Sequence, residues 1–315
     1  MGNPDRDKTG CSSNILITGG SGLIGRYLTS LLLSEGYRVS HLSRSATPVK
    51  GVNVFKWDPE KKIIDPSAFN GINYIIHLAG TNIGEKRWTK SRKKEIVSSR
   101  VDSSLFLFEN IKESRVEIKA FISASAIGIY GSATSEKIFE ESDPPSADFL
   151  GTTCRLWEEA ADMFRSSGIR TVKIRTAVVL EKNDSALAKL LKPALFGFIF
   201  RLGNGHQYMP WIHIDDICRI YLKSVKDDKM EGAYNAVAPH HTDNKNFMKA
   251  LAKVIRKPVF LPPVPSILIR SVMGGRASIV LEGSRISCKK ILSAGYSFIY
   301  PDLESALKNA ISGRN

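Results

Sequence analysis

The four cysteines, Cys11, Cys154, Cys218 and Cys288, are too scattered to form a CxxC pair, and none has a histidine at ligand spacing. This pattern excludes a disulfide framework and a zinc site, and it fits free thiols in the cytoplasm or another reducing compartment. The adjacent His240 and His241 beside Asp243 read as a solvated polar turn, so no metal is expected. Long apolar runs are also missing: Ala194–Phe200 falls far short of the roughly 18 residues a membrane helix needs, so no span is expected. Residues 1–13 have no apolar h-region and read as a loose tail rather than a secretory signal.

Acidic residues are scarce relative to basic ones, 31 Asp and Glu against 45 Lys and Arg, giving a formal net charge of +14. The surplus favours anionic partners such as phosphorylated cofactors, acidic substrates or nucleic acid. The last is disfavoured because the charge is spread along the chain. The one cluster, Lys86, Arg87, Lys90, Arg92, Lys93 and Lys94, has no zinc-finger or RNP signature beside it and reads as a solvated helix face. The expected partner is a small-molecule substrate rather than a specific nucleic acid, and pairing with a second copy as a homodimer is compatible with the sequence.

What is present is the composition of an ordinary globular core, 43% hydrophobic and 24% charged over 315 residues. Asn14–Thr18, Tyr37–Leu42, Tyr74–Leu78, Phe121–Ala124 and a longer run, Thr171–Leu180, read as strands. Helical spacing over Tyr27–Leu33, Trp88–Ile111 and Leu156–Phe164 separates them. Strands alternating with helices imply an α/β fold, a Rossmann doubly wound parallel sheet covered on both faces. After Leu180 the alternation loosens. Leu187–Arg201 reads as helix, Trp211–Ile214 as strand, Ile217–Val225 as helix, Gly232–Ala236 as strand, Asn246–Ile255 as helix, Pro258–Pro265 as extended chain and Leu303–Ile311 as a terminal helix. The expected organisation is a dinucleotide-binding domain over 14–180, rejoined by 211–237, and a smaller C-terminal substrate lobe from 181–210 and 238–315.

The chemistry-bearing motif is Thr18-Gly19-Gly20-Ser21-Gly22-Leu23-Ile24-Gly25, which follows the first strand and opens the first helix. Gly19 permits the tight turn, Gly22 lets a pyrophosphate approach the backbone, and Gly25 lets helix pack on strand. The helix N-terminus presents free N–H groups to the phosphates. A site that prefers NAD places an acid at the end of the second strand, but here that strand runs into His41-Leu42-Ser43-Arg44-Ser45. Arg44 and Ser43 suit a 2′-phosphate, so NADP(H) is the expected cofactor.

These residues resemble the extended short-chain dehydrogenase/reductase superfamily, over nearly the whole chain. His77-Leu78-Ala79-Gly80 is similar to its adenine-side strand end, which implies cofactor contact at Leu78 and Ala79. More narrowly, the chain resembles the epimerase-family, SulA-like (SDR39U-like) branch with a C-terminal DUF1731-like region. This likeness rests on Arg87-Trp88-Thr89 with Ser99-Arg100-Val101, Ser123–Gly131, Gly203–Gln207 with Pro210–Asp216, and Leu281-Glu282-Gly283 with Ala294-Gly295-Tyr296. It implies dinucleotide contacts from Glu95 and Arg100, with Glu95 reaching a ribose hydroxyl or orienting Arg100, and it places Val179 beside the nicotinamide.

The superfamily's usual chemistry needs a hydroxyl residue, a Tyr acid/base and a Lys that lowers the phenol's pKa. Its spacing places these at Ala126, Gly151 and Arg155, so all three are changed. The remaining catalytic candidates are Ser125, Tyr130, Arg155 and His206, with Ser123 and Cys154 behind them; His213 reads as a structural strand residue. Two readings stand. One is an NADP-dependent oxidoreductase or epimerase acting on a carbonyl or sugar-like molecule through a non-standard site. The other is a module that has lost catalysis and reports the NADPH state.

Overall fold

A computed structural model describes residues 13–45, 47–258 and 263–313. The tail expected over 1–13, Cys11 included, therefore lies almost wholly outside the described residues. The chain opens with β1 (Asn14–Thr18), α1 (Leu23–Ser34), β2 (Arg38–Ser43), β3 (Val52–Asp58), β4 (Ile63–Ile64), β5 (Tyr74–His77), α2 (Lys90–Ser114) and β6 (Ala120–Ala126). It continues through β7 (Ile138–Phe139), α3 (Phe149–Ser166), β8 (Arg170–Thr176), β9 (Val178–Leu180), α4 (Ala186–Leu195), β10 (Trp211–His213), α5 (Ile214–Lys226) and β11 (Gly232–Ala236). The last elements are α6 (Asn244–Val254), α7 (Ser266–Met273), α8 (Ser278–Leu281), β12 (Arg285–Ile286), α9 (Lys289–Ser293) and α10 (Leu303–Ser312).

Eight strands form one sheet in the order β11-β8-β6-β5-β1-β2-β3-β4, parallel throughout except for the short β4 at its edge. β1 is apolar at its three central positions, Ile15, Leu16 and Ile17, as a strand covered on both sides must be. Ile15 and Ile17 join Leu28 and Leu32 of α1 and Ile217 and Tyr221 of α5 in one core. Leu16 points the other way, into a core with Phe106 and Leu107 of α2 and Phe164 of α3. Strand order reverses between β1 and β5, and the crevice at the C-terminal ends of these two strands is where such sheets bind ligands.

The structure departs from the sequence reading at several elements. Thr171–Leu180 is two strands, not one. The backbone changes partner at Ala177, whose N–H donates to the Ala236 carbonyl (3.2 Å), while Val178 N–H donates to Pro210 (3.1 Å). β9 thereby leaves the main sheet and pairs with β10. The helix expected over Leu187–Arg201 stops at Leu195, with Pro193 in its last turn and Gly197 at φ +85° just beyond. Pro lacks the amide that a continuing helix uses, and a left-handed glycine closes it. β3, β4, β7, β12, α7, α8 and α9 had no counterpart in the reading. Of the extended passage Pro258–Pro265, only 258 and 263–265 lie within the described residues, and Val264 there bridges Leu202.

A second core lies beyond the sheet, where Leu187 and Leu191 of α4, Trp211 of β10, Phe247 and Leu251 of α6 and Leu307 of α10 pack together. One buried carboxylate ties it to the first. Asp216, near the start of α5, accepts hydrogen bonds from the Tyr296 hydroxyl (2.7 Å) and from the backbone N–H groups of Ile299 (2.8 Å) and Tyr300 (3.1 Å). Replacing it by alanine leaves the buried Tyr296 hydroxyl and two part-buried backbone N–H groups without their acceptor, and each such loss costs on the order of 1 kcal/mol. Asp216→Ala is expected to lose about 3 kcal/mol in urea unfolding, whereas Asp215→Ala, a more exposed neighbour, should lose much less; equal losses would remove Asp216 from this role.

Candidate functional site

The turn between β1 and α1 is built by close backbone approach. Gly19 takes φ +70°, and a Cβ there would come within 2.8 Å of the Leu78 carbonyl carbon, so the two strand ends abut with no side chain between them. A Cβ on Gly25 would overlap the Gly19 carbonyl oxygen, and one on Gly20 would overlap the His41 ring. Gly22 differs: its Cβ would meet only Gly19 O, at 3.2 Å, and otherwise open space. Gly22 also caps α1 without any side-chain hydrogen bond, and no acid occupies the first turn, so the amides there remain available to a ligand. Ser21 is exposed, Leu23 and Ile24 are half-buried, and the Ser21 carbonyl accepts from Arg26 (2.8 Å).

Behind the turn, polar side chains fix the end of β5. Thr18 accepts the Ala79 N–H (3.2 Å) and faces His77 Nδ1 at 2.8 Å. Ser103 of α2 donates to the Ser99 carbonyl (2.8 Å) and lies 3.2 Å from His77 Nε2. This pattern assigns the proton to Nε2, with the Thr18 hydroxyl donating to Nδ1. Burial pushes the His77 pKa down to about 4. Leu78 and Ala79, held by this arrangement, stand half-buried at the strand end. On the other side of β1, Ser43 closes β2 and Arg44 follows it, exposed, its carbonyl accepting from Lys56 Nζ of β3 (2.7 Å).

α2 presents Arg100 and Arg92 beneath the loop after β5. Arg100 donates to the carbonyls of Ile96 (2.9 Å) and Thr81 (3.0 Å), lies 5.0 Å over the Trp157 ring, and sits where a Cβ on Gly80 would be 3.2 Å from its Cζ. Burial lowers its pKa to about 10. Glu95 does not orient Arg100. Its carboxylate accepts from Arg92 (2.7 Å) and Thr81 (3.1 Å), and the Arg92 bond holds it below the usual carboxylate range. Arg92 was the better-placed partner because it lies one helical turn before Glu95 and also clasps the Asn82 carbonyl (2.6 Å). The remainder of this loop is gripped from the C-terminal region: Arg276 donates to the carbonyls of Gly84 and Glu85 (both 3.1 Å), and Arg87 to that of Ser271 (3.4 Å).

Of the catalytic candidates, Ser125 and Tyr130 meet in one buried network, while Arg155 and His206 take no part in it. Ser125 donates to buried Glu158 (2.7 Å), which also receives Arg175 at 2.8 and 3.0 Å. Arg175 in turn donates to the Tyr130 oxygen (2.9 Å), and the Tyr130 hydroxyl donates to Asn235 (2.7 Å). Tyr130 is thus a closed link in a buried network, and burial pushes its pKa up to about 12, far from that of a working acid/base. Cys154 is buried and its thiol is likewise pushed up to about 12. Ser123 is buried and donates to the Ala124 carbonyl (2.9 Å). Arg155 is exposed and paired with Glu159 (2.6 Å), while His206 is exposed in the loop after α4. At Gly151 a Cβ would overlap the backbone carbonyl of Ser146, so the chain itself fills the place of a phenol-bearing side chain. His213 accepts the Asp215 N–H (3.1 Å) as the N-cap of α5, and Val179 lies half-buried in β9.

The sequence motifs contain Thr18, His41 and His77 without marking their roles, and Ser103, Glu158 and Arg175 lie outside them. For Thr18, His41, His77 and Arg175 the available signal is a polar residue within an otherwise apolar strand, which demands a buried partner; Ser103 and Glu158, on α2 and α3, carry no such signal.

Residues 15–236 match the pattern described as the NAD dependent epimerase/dehydratase family, and 264–310 match a domain of unknown function, DUF1731. The chain is 34% identical over 303 residues to epimerase family protein YfhF of Bacillus subtilis, covering 96% of this chain and 99% of that one. It is 32% identical to mouse (Mus musculus) epimerase family protein SDR39U1, covering 95% and 99%. Among solved structures, human SDR39U1 (isoform 2), crystallised with NADPH, superposes with a TM-score of 0.82 at 30% identity, covering 94% of this chain and 98% of that one.

His77 generates a pH prediction. Its pKa is lowered in the folded state, so the unfolded chain takes up a proton first, and stability present above pH 6.5 is lost as pH falls toward 4. A shift of this size corresponds to about 3 kcal/mol. Urea midpoints of the wild type should fall across that window more than those of His77→Gln; identical slopes would reject the assignment.

Proposed function

The chain belongs to the NAD dependent epimerase/dehydratase family, and on that premise we propose that it binds NADP(H) and acts as an oxidoreductase or epimerase on a carbonyl or sugar-like small molecule, through a site other than the Tyr–Lys pair. The observation that carries the cofactor reading is the glycine turn. The space in front of Gly22 is open, the first amides of α1 are uncapped, and these groups fit a pyrophosphate. Gly19, Gly20, Ser21, Gly22, Leu23, Ile24 and Gly25 would form this cradle. Leu78 and Ala79 would back the adenine side, Arg100 and Glu95 would border the ribose, and Val179 the nicotinamide. Ser43 and Arg44 would receive the 2′-phosphate. NADP(H), when bound, supplies hydride transfer.

A second reading has an observation of its own. Gly151 packs against the Ser146 carbonyl, and Ser125 and Tyr130 are spent on a buried network, which favours a catalytically reduced protein that senses NADPH.

Fluorescence titration with NADPH and NADH tests the cofactor. NADPH should bind more tightly, and Arg44→Ala should cost it about tenfold, the worth of a charge-assisted phosphate bond, while leaving NADH nearly unchanged. Equal wild-type affinities would sink NADP(H) as the preferred cofactor. NADPH absorbance followed with aldehydes, quinones and nucleotide sugars separates the two readings: turnover with any of them supports the enzyme, and tight binding without turnover supports the sensor. Gly151→Tyr is expected to destabilise the fold rather than raise any activity, because the Ser146 backbone cannot yield; a folded variant with faster turnover would contradict that geometry.

A further inference from the structure

We infer that Lys56, on the strand next to the one that ends at Ser43, is a second cation for the 2′-phosphate and shares the choice of NADP(H) over NAD(H) with Arg44. This rests on the cofactor reading above and assigns it a residue from outside the glycine turn and the β2 end.

Three observations support it. In the parallel register of β2 with β3, Lys56 lies directly opposite Ser43, so its side chain emerges on the same side of the sheet as the serine hydroxyl. Its ammonium is carried past the strand end and held there, donating to the Arg44 carbonyl at 2.7 Å. That bond uses one of three donors, which leaves two for another acceptor beside the Arg44 turn. Finally, the local chemistry is that of an anion site. Ser45 N–H donates to the Ser43 hydroxyl (3.3 Å), and the Ser43 and Ser45 hydroxyls are 3.4 Å apart. Among the described residues neither Arg44 nor Lys56 is paired with a carboxylate, whereas nearby Lys61 and Lys62 each have one, Asp58 and Glu109 (both 3.9 Å). A lysine kept at a backbone carbonyl with its charge unneutralised is set up for an anion that arrives with a ligand.

The same bond also fixes the Arg44 backbone, so removing Lys56 could act by loosening the turn. The experiment separates these effects by ligand. Affinities of wild type, Lys56→Gln and Lys56→Arg are measured by calorimetry for NADPH, NADH, adenosine 2′,5′-bisphosphate and 5′-AMP. Lys56→Gln should weaken NADPH and the bisphosphate about fivefold, as for a partly exposed charge pair, with NADH and 5′-AMP within twofold of wild type. Lys56→Arg should restore most of the loss. Lowering pH from 7.5 to 5.5 protonates the 2′-phosphate, whose second pKa is about 6, and should narrow the gap between wild type and Lys56→Gln. Parallel losses for all four ligands, or no loss for NADPH in a wild type that does prefer it, would overturn the inference alone. A wild type without NADPH preference would overturn the cofactor reading beneath it as well.

Discussion

The whole turn between β1 and α1 depends on one carbonyl oxygen. Gly19 O receives the Gly22 N–H at 3.0 Å and sits where a Cβ on Gly25 would be. Strand, turn and helix can approach only because hydrogen atoms replace three side chains there. The approach brings the first amides of α1 to the crevice between β1 and β5, and it brings Gly19 against Leu78, so one steric condition sets both the turn and the end of β5. His41 and His77, both neutral and buried, then act as spacers: one ring lies against Gly20 and bonds Thr29 (2.8 Å), the other braces Thr18.

The buried polar network of β6, β8 and α3 follows a different logic. Ser125, Tyr130 and Arg175 are each engaged by a partner that keeps them from moving protons. The Arg175–Glu158 pair satisfies both carboxylate oxygens and adds the Ser125 hydroxyl, and Lys173 lies 3.8 Å from the same carboxylate. Such a network, fully satisfied, specifies a unique packing of β6, β8 and α3. Breaking any member would strand the others, so these residues are kept for structural reasons whatever chemistry occurs nearby.

The parts of the fold that were legible in the sequence are those where physics is local. The glycine turn, the apolar strands of the sheet centre and the amphipathic helices are each specified by periodicity or by a steric need within a few residues. β3 was invisible because it lies near the sheet edge, half exposed, and mixes Asn53 and Lys56 into an apolar pattern. The break between β8 and β9 was invisible because it depends on carbonyls supplied by Pro210 and Ala236, remote in sequence. The pairing of Glu95 with Arg92 rather than Arg100 was decided by loop carbonyls that draw Arg100 away. At the site, the glycines could be assigned in advance, but the closure at Gly151 could not, since it depends on how the Ser146 segment packs against the start of α3.

The loop after β5 has a further meaning in the grip that Arg276 and the Ser271 carbonyl exert on it. Segments far apart in the sequence meet at this loop, and the short β12 pairs with β7 in the same way. The two regions cannot be inherited as interchangeable cassettes. Recombination that joined this N-terminal region to a distant relative's C-terminal portion would put unmatched surfaces against the loop after β5.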